Sequence, residues 1–244
     1  MLWGRSSEKG ERERLRATAR KQLESMGYDA LFGEQQGDAI PPNFADLWLL
    51  HSAVMADKPS LVLEYGSGYS TYVLGKTLKS IGSGKVISIE LDADWRSICE
   101  ARLTPDLAPY VEFRSPTPAI RMVKSLLPGG NPEWFNKRSK EPRRIGIATI
   151  TFPELYDLKP DFIFLDGPDP SQVPGYLDSL TDEPLPPIVS DPLVFEKHKP
   201  STICVDGRRE QCAFLHANLS GQYDLKIHQV QRFTFFRPQE RSLL

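Results

Sequence analysis

The sequence predicts an α/β fold with a seven-stranded, mostly parallel β-sheet, an antiparallel last strand and helices on both faces. Residues 61–92 have the pattern of a strand, a glycine turn, a helix and a second strand that ends on an acid. The apolar run before Asp166 is continuous, which is typical of a parallel strand buried on both faces. Residues 223–237 contain two adjacent strand patterns, which predict a terminal hairpin.

Composition and charge limit the class of protein. The 244 residues suit one α/β domain with additions, and 30 basic against 32 acidic residues give a formal net charge of -2. This balance creates no global attraction to nucleic acid or to a membrane surface. No apolar run is long enough for a membrane span and no signal-peptide pattern is present, so we expect a cytoplasmic protein. Three widely spaced cysteines indicate reduced core residues: Cys99, Cys204 and Cys212.

The N-terminal region differs from the rest of the chain. Residues 1–42 predict a helical extension and a linker, because apolar residues recur at helical spacing within 5–26, and residues 43–244 form the main domain. Asn43 can cap a second helix that contains His51. His51 is a candidate general base on the wall of a substrate pocket, although a lone helical histidine is more often a partly buried structural residue.

The segment 61–92 has the features of a nucleoside cradle. Gly66 and Gly68 can take backbone conformations that let a ligand approach the main chain closely. The helix that follows offers unpaired N–H groups at its start. Glu90 ends the second strand, where a carboxylate can accept hydrogen bonds from both hydroxyls of a ribose.

The glycine spacing distinguishes two nucleoside-binding families. A dinucleotide fingerprint requires a third glycine, and Thr71 stands at that position. The pattern Glu64-x-Gly66-x-Gly68-x-Ser70 instead resembles motif I of the class I S-adenosylmethionine-dependent methyltransferases, with serine in place of the last glycine. The terminal strand pair is also similar to that family, whereas nicotinamide domains end with another parallel unit.

The resemblance implies a Rossmann-like class I methyltransferase fold and S-adenosylmethionine as the cofactor. It places Gly66 and Gly68 against the methionine part, Glu64 at the amino end and Glu90 on the ribose. Ser115 stands where many members carry an acid or amide that reads adenine. The implied cofactor contacts lie in the loops after the strands: Glu64, Tyr65, Gly66, Ser67, Gly68, Ser70, Thr71, Glu90, Leu91, Ser115 and Asp166.

Acidic residues at the ends of the next two strands are the catalytic candidates. Asp166 and Asp206 can serve as a general base for an oxygen nucleophile. With Asp169 they are similar to the magnesium-binding carboxylates of catechol-type O-methyltransferases, although Gly207 replaces the expected asparagine. An Mg²⁺ site at Asp166, Asp169 and Asp206 is therefore one interpretation, and simple capping of loops is the other.

Three further segments complete the prediction. Residues 118–127 predict a helix, and residues 128–146 form a basic insertion with aromatic residues. Such an insertion can stack bases and contact phosphates, but we interpret it as a solvated loop or an oligomer contact, which leaves a homodimer open. Residues 167–200 are rich in proline and predict a lid over the acceptor pocket. Within the lid, 173–180 and 193–198 are candidate short helices.

We therefore expect methyl transfer from S-adenosylmethionine to a small-molecule or glycan acceptor, at oxygen, with no nucleic-acid partner. Val205-Asp206-Gly207-Arg208 and Ile227-His228 are also similar to bacterial methyltransferase-like proteins of unassigned substrate. A cofactor-binding module without turnover remains an alternative. An aminopropyltransferase is disfavoured by the helical N-terminus, and a nicotinamide oxidoreductase by Thr71 and the terminal strand pair.

Overall fold

A computed structural model describes residues 3–28, 43–126, 144–177, 182, 185–219, 223–228 and 233–239. Its main element is a seven-stranded sheet in the order β3-β2-β1-β6-β7-β9-β8. The strands of the described chain are β1 Leu61–Tyr65, β2 Lys85–Ile89, β3 Val111–Arg114, β4 Ala119–Leu126, β5 Arg144–Thr151, β6 Phe162–Leu165, β7 Thr202–Asp206, β8 Tyr223–His228 and β9 Phe233–Pro238.

The direction of the strands confirms the predicted sheet. The pairs β1–β2, β2–β3, β1–β6 and β6–β7 are parallel, whereas β9 runs antiparallel to both β7 and β8. The strand order reverses at β1, which has β2 on one side and β6 on the other. In open parallel sheets, ligands bind outside the carboxyl ends of the strands at such a switch point.

Both faces of the sheet are buried, as the apolar runs predicted. Val62 and Phe162 belong to one hydrophobic cluster, while their neighbours Leu63 and Ile163 belong to the cluster on the opposite face. Successive strand residues point to opposite faces, so this alternation requires a packed layer on each side. The helices are α1 Trp3–Ser25, α2 Phe44–Asp57, α3 Tyr69–Ile81, α4 Ala93–Arg102, α5 Asp191–Phe195 and α6 Arg209–Asn218.

The N-terminal helix forms as predicted. Helix α1 buries Ala19 and Leu23, and Leu23 packs in a cluster with Leu47 of α2. Gly27, with φ of 75°, follows its last turn. The linker residues 29–42 and residues 128–143 of the basic insertion lie outside the described residues.

The predicted helix over 118–127 is wrong. Residues 119–126 form β4, which pairs antiparallel with β5 in a separate two-stranded sheet. Ile120 and Val123 have helical spacing, but an eight-residue ladder from Ala119↔Thr151 to Leu126↔Arg144 satisfies the backbone instead. Long-range pairing thus overrides a weak local preference.

Asp92 is the N-cap of α4, because its carboxylate accepts a hydrogen bond from the Trp95 amide at 2.8 Å.

The two short helices predicted within residues 167–200 have different outcomes. The described part of 173–180 is not helical. Gly175, with φ of 74°, is incompatible with a helix there. The predicted helix 193–198 is confirmed by α5 and the 3-10 turn that follows it.

The predictions for membrane spans and cysteines can also be compared with the structure. Within the described part of the chain, every helix is too short or too polar to cross a bilayer. The three cysteines are buried free thiols, as the sequence predicted.

Candidate active site

A cavity of about 550 Å³ lies at the carboxyl ends of β1, β2, β6 and β7. Its position is the one that the reversal of strand order predicts. Helix α2 and the first residues of the proline-rich segment complete the walls. Eight of the sequence-predicted site residues line it: Gly66, Ser67, Gly68, Ser70, Glu90, Asp166, Asp169 and Asp206.

The two glycines after β1 have different roles. Gly66 has φ of 90°, and a Cβ built on it would lie 2.9 Å from the Cα of Gly167. The fold itself therefore requires glycine at position 66, where the loops after β1 and β6 touch backbone to backbone. At Gly68, with φ of 174°, a Cβ would meet no heavy atom of the described chain within 4 Å. The space beside Gly68 is therefore open to a ligand.

Glu64 lies fully buried beneath this loop. Its Oε2 accepts hydrogen bonds from Thr71 Oγ1 at 2.7 Å and Ser88 Oγ at 2.6 Å. Burial raises the pKa of Glu64 to about 7, although the nearby hydroxyls of Ser70, Ser88 and Thr71 oppose the rise. Its Oε1 has no hydrogen-bond partner of proper geometry among the described residues. Glu64 does not line the cavity, so in this structure it supports the loop after β1 from below, through Thr71 and Ser88.

Glu90 is held in a fixed orientation at the end of β2. Its Oε2 accepts a hydrogen bond from the Ser67 amide, and its Oε1 accepts one from the Asp92 amide, each at 3.0 Å. The Trp95 indole nitrogen also donates to the Ser67 carbonyl at 2.9 Å. Each carboxylate oxygen can accept a further hydrogen bond, so the geometry is compatible with a ribose contact. That contact remains a prediction.

Two predicted cofactor residues support the site from outside its lining. Thr71 is fully buried, and its hydroxyl donates to Glu64. The Ser115 hydroxyl donates to the Glu90 carbonyl at 2.6 Å and accepts a hydrogen bond from Arg96 at 3.1 Å. Thr71 thus bonds to the buried Glu64, and Ser115 bonds to the backbone of Glu90, but neither Thr71 nor Ser115 lines the cavity.

Tyr65 and Leu91 also lie outside the cavity lining. The Tyr65 hydroxyl donates to Asp191 Oδ2 at 2.9 Å, and the Phe152 amide donates to the same oxygen at 3.1 Å. Asp191 belongs to the segment 167–200, so these bonds anchor that segment to the sheet. Leu91 is partly buried against the hydrophobic core.

Asp166 and Asp206 form an interacting pair of acids beside Arg208. Burial and then the charge of Asp206 raise the pKa of Asp166 to about 7, and burial raises the pKa of Asp206 to about 6. The Asp166 side chain is 48% exposed, so solvent screens part of that shift. Arg208 Nε lies 3.9 Å from Asp166 Oδ1, and the guanidinium donates to the backbone carbonyls of Asp166 and Pro168. Its positive charge lowers both pKa values.

Asp46 is a further carboxylate in the cavity. It is 7% exposed, its Oδ2 accepts a hydrogen bond from the Asn43 side chain, and its Oδ1 has no partner among the described residues. Burial raises the pKa of Asp46 to about 8, with a further contribution from the charges of Asp206 and Asp166 and opposition from Arg16. Asp46 therefore interacts with the pair Asp166 and Asp206, while Glu90 and Asp169 also line the cavity.

The sequence interpretation missed Asp46 because an acid in the first turn of a helix usually faces solvent and interacts with the helix dipole. A signal for its role was present in the sequence. Asp46 and Leu50 are four residues apart and share one helical face, which here lines the cavity with Leu47.

His51 lies on a different side of α2. Its Nδ1 is 2.8 Å from Thr77 Oγ1 and 3.1 Å from the Tyr28 hydroxyl, and its ring stacks on Trp48 with centroids 5.3 Å apart. Burial lowers the pKa of His51. Its side chain does not line the cavity, so the geometry supports the structural interpretation and gives no support to a catalytic role.

The predicted Mg²⁺ set does not fit the geometry. The described residues contain no group of three or more His, Cys, Asp or Glu side chains arranged to hold a metal ion. Asp169 Oδ1 accepts hydrogen bonds from the amide and the hydroxyl of Ser171, at 2.8 and 2.7 Å. Asp169 thus caps a short turn, while Arg208 brings a cation to Asp166.

Comparisons with known proteins agree with this architecture. No protein-family model and no curated protein matches the chain. A methyltransferase from Podospora anserina, solved with S-adenosylhomocysteine bound, superposes with a TM-score of 0.52 over 93% of this chain and 95% of its own, at 12% identity. This chain has the class I methyltransferase fold.

Two further solved methyltransferases match the chain with lower TM-scores. A putative O-methyltransferase from Klebsiella pneumoniae matches 94% of this chain and all of its own, with 12% identity and a TM-score of 0.48. An O-methyltransferase from Bacillus cereus in complex with S-adenosylhomocysteine matches 91% of each chain, with 14% identity and a TM-score of 0.43.

Proposed function

We propose that this protein transfers a methyl group from S-adenosylmethionine to an oxygen of a small-molecule acceptor, with Asp166 as the general base. One observation carries the proposal: a single cavity joins the open space beside Gly68 to a pair of interacting acids, Asp166 and Asp206. The bound S-adenosylhomocysteine in the similarly folded Podospora protein supports the choice of cofactor.

The residues around the β1 loop fit the cofactor. Gly68 leaves room for it, and Glu90, which lines the cavity, is positioned to accept the ribose hydroxyls. The buried Glu64 holds the loop in place through its hydrogen bond with Thr71. When bound, S-adenosylmethionine supplies a methyl group on a positively charged sulfur, and the bond to sulfur breaks as the bond to the acceptor oxygen forms.

The acids at the ends of β6 and β7 supply the proton chemistry. A general base works best with a pKa near the operating pH, and the pKa of Asp166 is raised to about 7. Asp166 takes the proton that the acceptor hydroxyl loses, and the charge of Asp206 makes Asp166 a stronger base. Arg208 fixes the loop through the carbonyls of Asp166 and Pro168.

The test separates binding from turnover. We expect S-adenosylhomocysteine to bind in calorimetry, and a panel of hydroxylated acceptors to reveal transfer of an isotopically labelled methyl group. Asp166→Asn should lower the transfer rate by roughly 10²–10⁴, the usual contribution of a general base. Its affinity for S-adenosylhomocysteine should change less than about threefold.

Asp157→Asn is the matched control, because Asp157 is exposed and lies outside the cavity lining. It should retain the wild-type rate. Transfer by Asp166→Asn at the wild-type rate would disprove the role of this carboxylate. Binding of S-adenosylhomocysteine without any transfer would instead indicate a binding module. A chelator should leave the rate unchanged, since the described acids do not form a metal site.

A further inference from the structure

The acceptor side of the cavity has an excess of negative charge. Asp46, Asp166 and Asp206 come from α2, β6 and β7, and the charges of Asp166 and Asp206 raise the pKa of Asp46. Arg208 is the one basic side chain among the described residues that line the cavity. Arg208 lowers the pKa values of Asp166 and Asp206. The positive charge that opposes the rise in the pKa of Asp46 is instead that of Arg16.

The burial and hydrogen bonding of Asp46 indicate independently that its side chain binds a ligand. Its side chain is more than nine-tenths buried and lines the cavity, and its Oδ1 has no hydrogen-bond partner among the described residues. A buried acceptor without a partner is costly, and a ligand that donates to it would remove that cost. Arg16 of α1 opposes the rise in pKa, but its side chain is exposed and lies outside the lining.

Asp46 lies on the helix side of the cavity, with Leu47 and Leu50 of α2. Besides burial, the charges that raise its pKa are those of Asp206, which ends β7, and Asp166, which follows the end of β6. The apolar residues that share the cavity with Asp46 favour a ligand with a hydrophobic body: Leu47, Leu50, Phe164 and Phe233.

We infer that the acceptor is a small hydroxylated compound with an apolar body and a protonated amine, and that Asp46 binds this amine. The inference rests on the proposed function, because it assigns the acceptor of the same site. An ammonium group supplies both of the missing features, a hydrogen-bond donor for Oδ1 and a positive charge among three acids.

The binding should be linked to proton release. The pKa of Asp46 is about 8 in the structure, so at pH 7 its carboxyl is mainly protonated. A bound ammonium favours the carboxylate and lowers this pKa, which expels a proton. The affinity should therefore rise as the pH increases from 6 to about 8. The charged groups that act on Asp46 are Asp206, Asp166 and Arg16.

The experiment uses three phenols of similar size whose side chains end in an ammonium, a hydroxyl or a carboxylate group: tyramine, 4-hydroxyphenethyl alcohol and 4-hydroxyphenylacetate. Calorimetry on the full chain, with and without S-adenosylhomocysteine, measures each affinity. We expect tyramine to bind at least about tenfold more tightly than the neutral and anionic compounds. Titration of tyramine at pH 7 in two buffers of different ionisation enthalpy should show release of a proton.

Asp46→Asn should reduce the preference for tyramine at least about tenfold. It should also lower the number of protons released, leaving the smaller share that comes from Asp166, whose pKa is about 7. Asp157→Asn should alter neither. Equal affinity for the three phenols, or a preference that survives Asp46→Asn, overturns the inference. Proton release is measured on the wild type, so it remains a test if the variant does not fold.

Different results would contradict the proposed function and the assignment of the acceptor. If S-adenosylhomocysteine does not bind, the proposed function fails, while the preference for tyramine without cofactor still supports the cation site. If S-adenosylhomocysteine binds and the three phenols bind equally, the acceptor assignment fails and the proposed function stands.

Discussion

Alanine substitution at the two glycines after β1 should separate a ligand contact from a fold requirement. At Gly68 the backbone is extended, with φ of 174°, and a Cβ would meet no described atom within 4 Å. Alanine can adopt this conformation, so we expect the free energy of unfolding to change by less than about 1 kcal/mol. At Gly66 the φ of 90° and the 2.9 Å approach of a Cβ to Gly167 make alanine unfavourable.

The expected magnitudes follow from these contacts. Backbone strain at Gly66→Ala costs about 1–3 kcal/mol, and the required shift of Gly167 adds to it. A loss of ~2–4 kcal/mol would lower Tm by roughly 4–16 °C for a chain of this size. At Gly68→Ala the new methyl group enters the space proposed for the cofactor. Overpacking a close contact costs about 1–3 kcal/mol, which is a loss of affinity of roughly 5- to 160-fold.

The assay combines thermal denaturation, followed by circular dichroism, with calorimetric titration of S-adenosylhomocysteine. Gly68→Ala should keep the wild-type Tm and lose affinity, and Gly68→Val should lose more. Gly66→Ala should lower the Tm of the protein even in the absence of a ligand. Wild-type affinity in Gly68→Ala would refute the placement of the cofactor beside this glycine, and an unchanged Tm in Gly66→Ala would refute the argument from backbone contact.

Two other substitutions test the buried acids. The pKa of Asp46 is about 8 in the folded chain against 3.8 for an ordinary aspartate, so its ionisation destabilises the fold increasingly between pH 4 and 8 and fully above that range. Asp46→Asn should therefore raise Tm more at pH 8.5 than at pH 4.5, and an equal shift at both would contradict this. Tyr65→Phe removes a hydrogen bond to Asp191, so we expect a loss of about 1.5–3 kcal/mol in thermal denaturation and unchanged affinity for S-adenosylhomocysteine. Weaker binding at unchanged Tm would instead favour a cofactor contact at Tyr65.

Much of the fold could be predicted because its signals are local. The apolar run before Asp166 and the glycine turn at 66–68 depend on neighbouring residues, and both lie where the sequence placed them. The strand over 119–126 could not be recognised locally, because its partner, 144–151, is distant in sequence and supplies the backbone hydrogen bonds that decide its conformation.

For the same reason, some residues of the site could be predicted from the sequence and others could not. Residues at strand ends, such as Glu90 and Asp206, could be placed from the strand pattern alone. The role of Asp46 depends on how α2 lies across the sheet, which periodicity does not determine. The hydrogen bonds from Arg208 to the backbone after β6 likewise depend on a loop geometry that residue types do not encode.

The backbone contact between Gly66 and Gly167 has a consequence for how this protein can diverge. The loops after β1 and β6 pack closely through two residues that lack side chains, so their spacing at this point does not depend on the choice of a side chain. Under the proposed function, these loops belong to the cofactor and acceptor parts of the site. Changes in α2 or in residues 168–172 could then alter the choice of acceptor while the separation of the two loops, and with it the placement of the cofactor, is preserved.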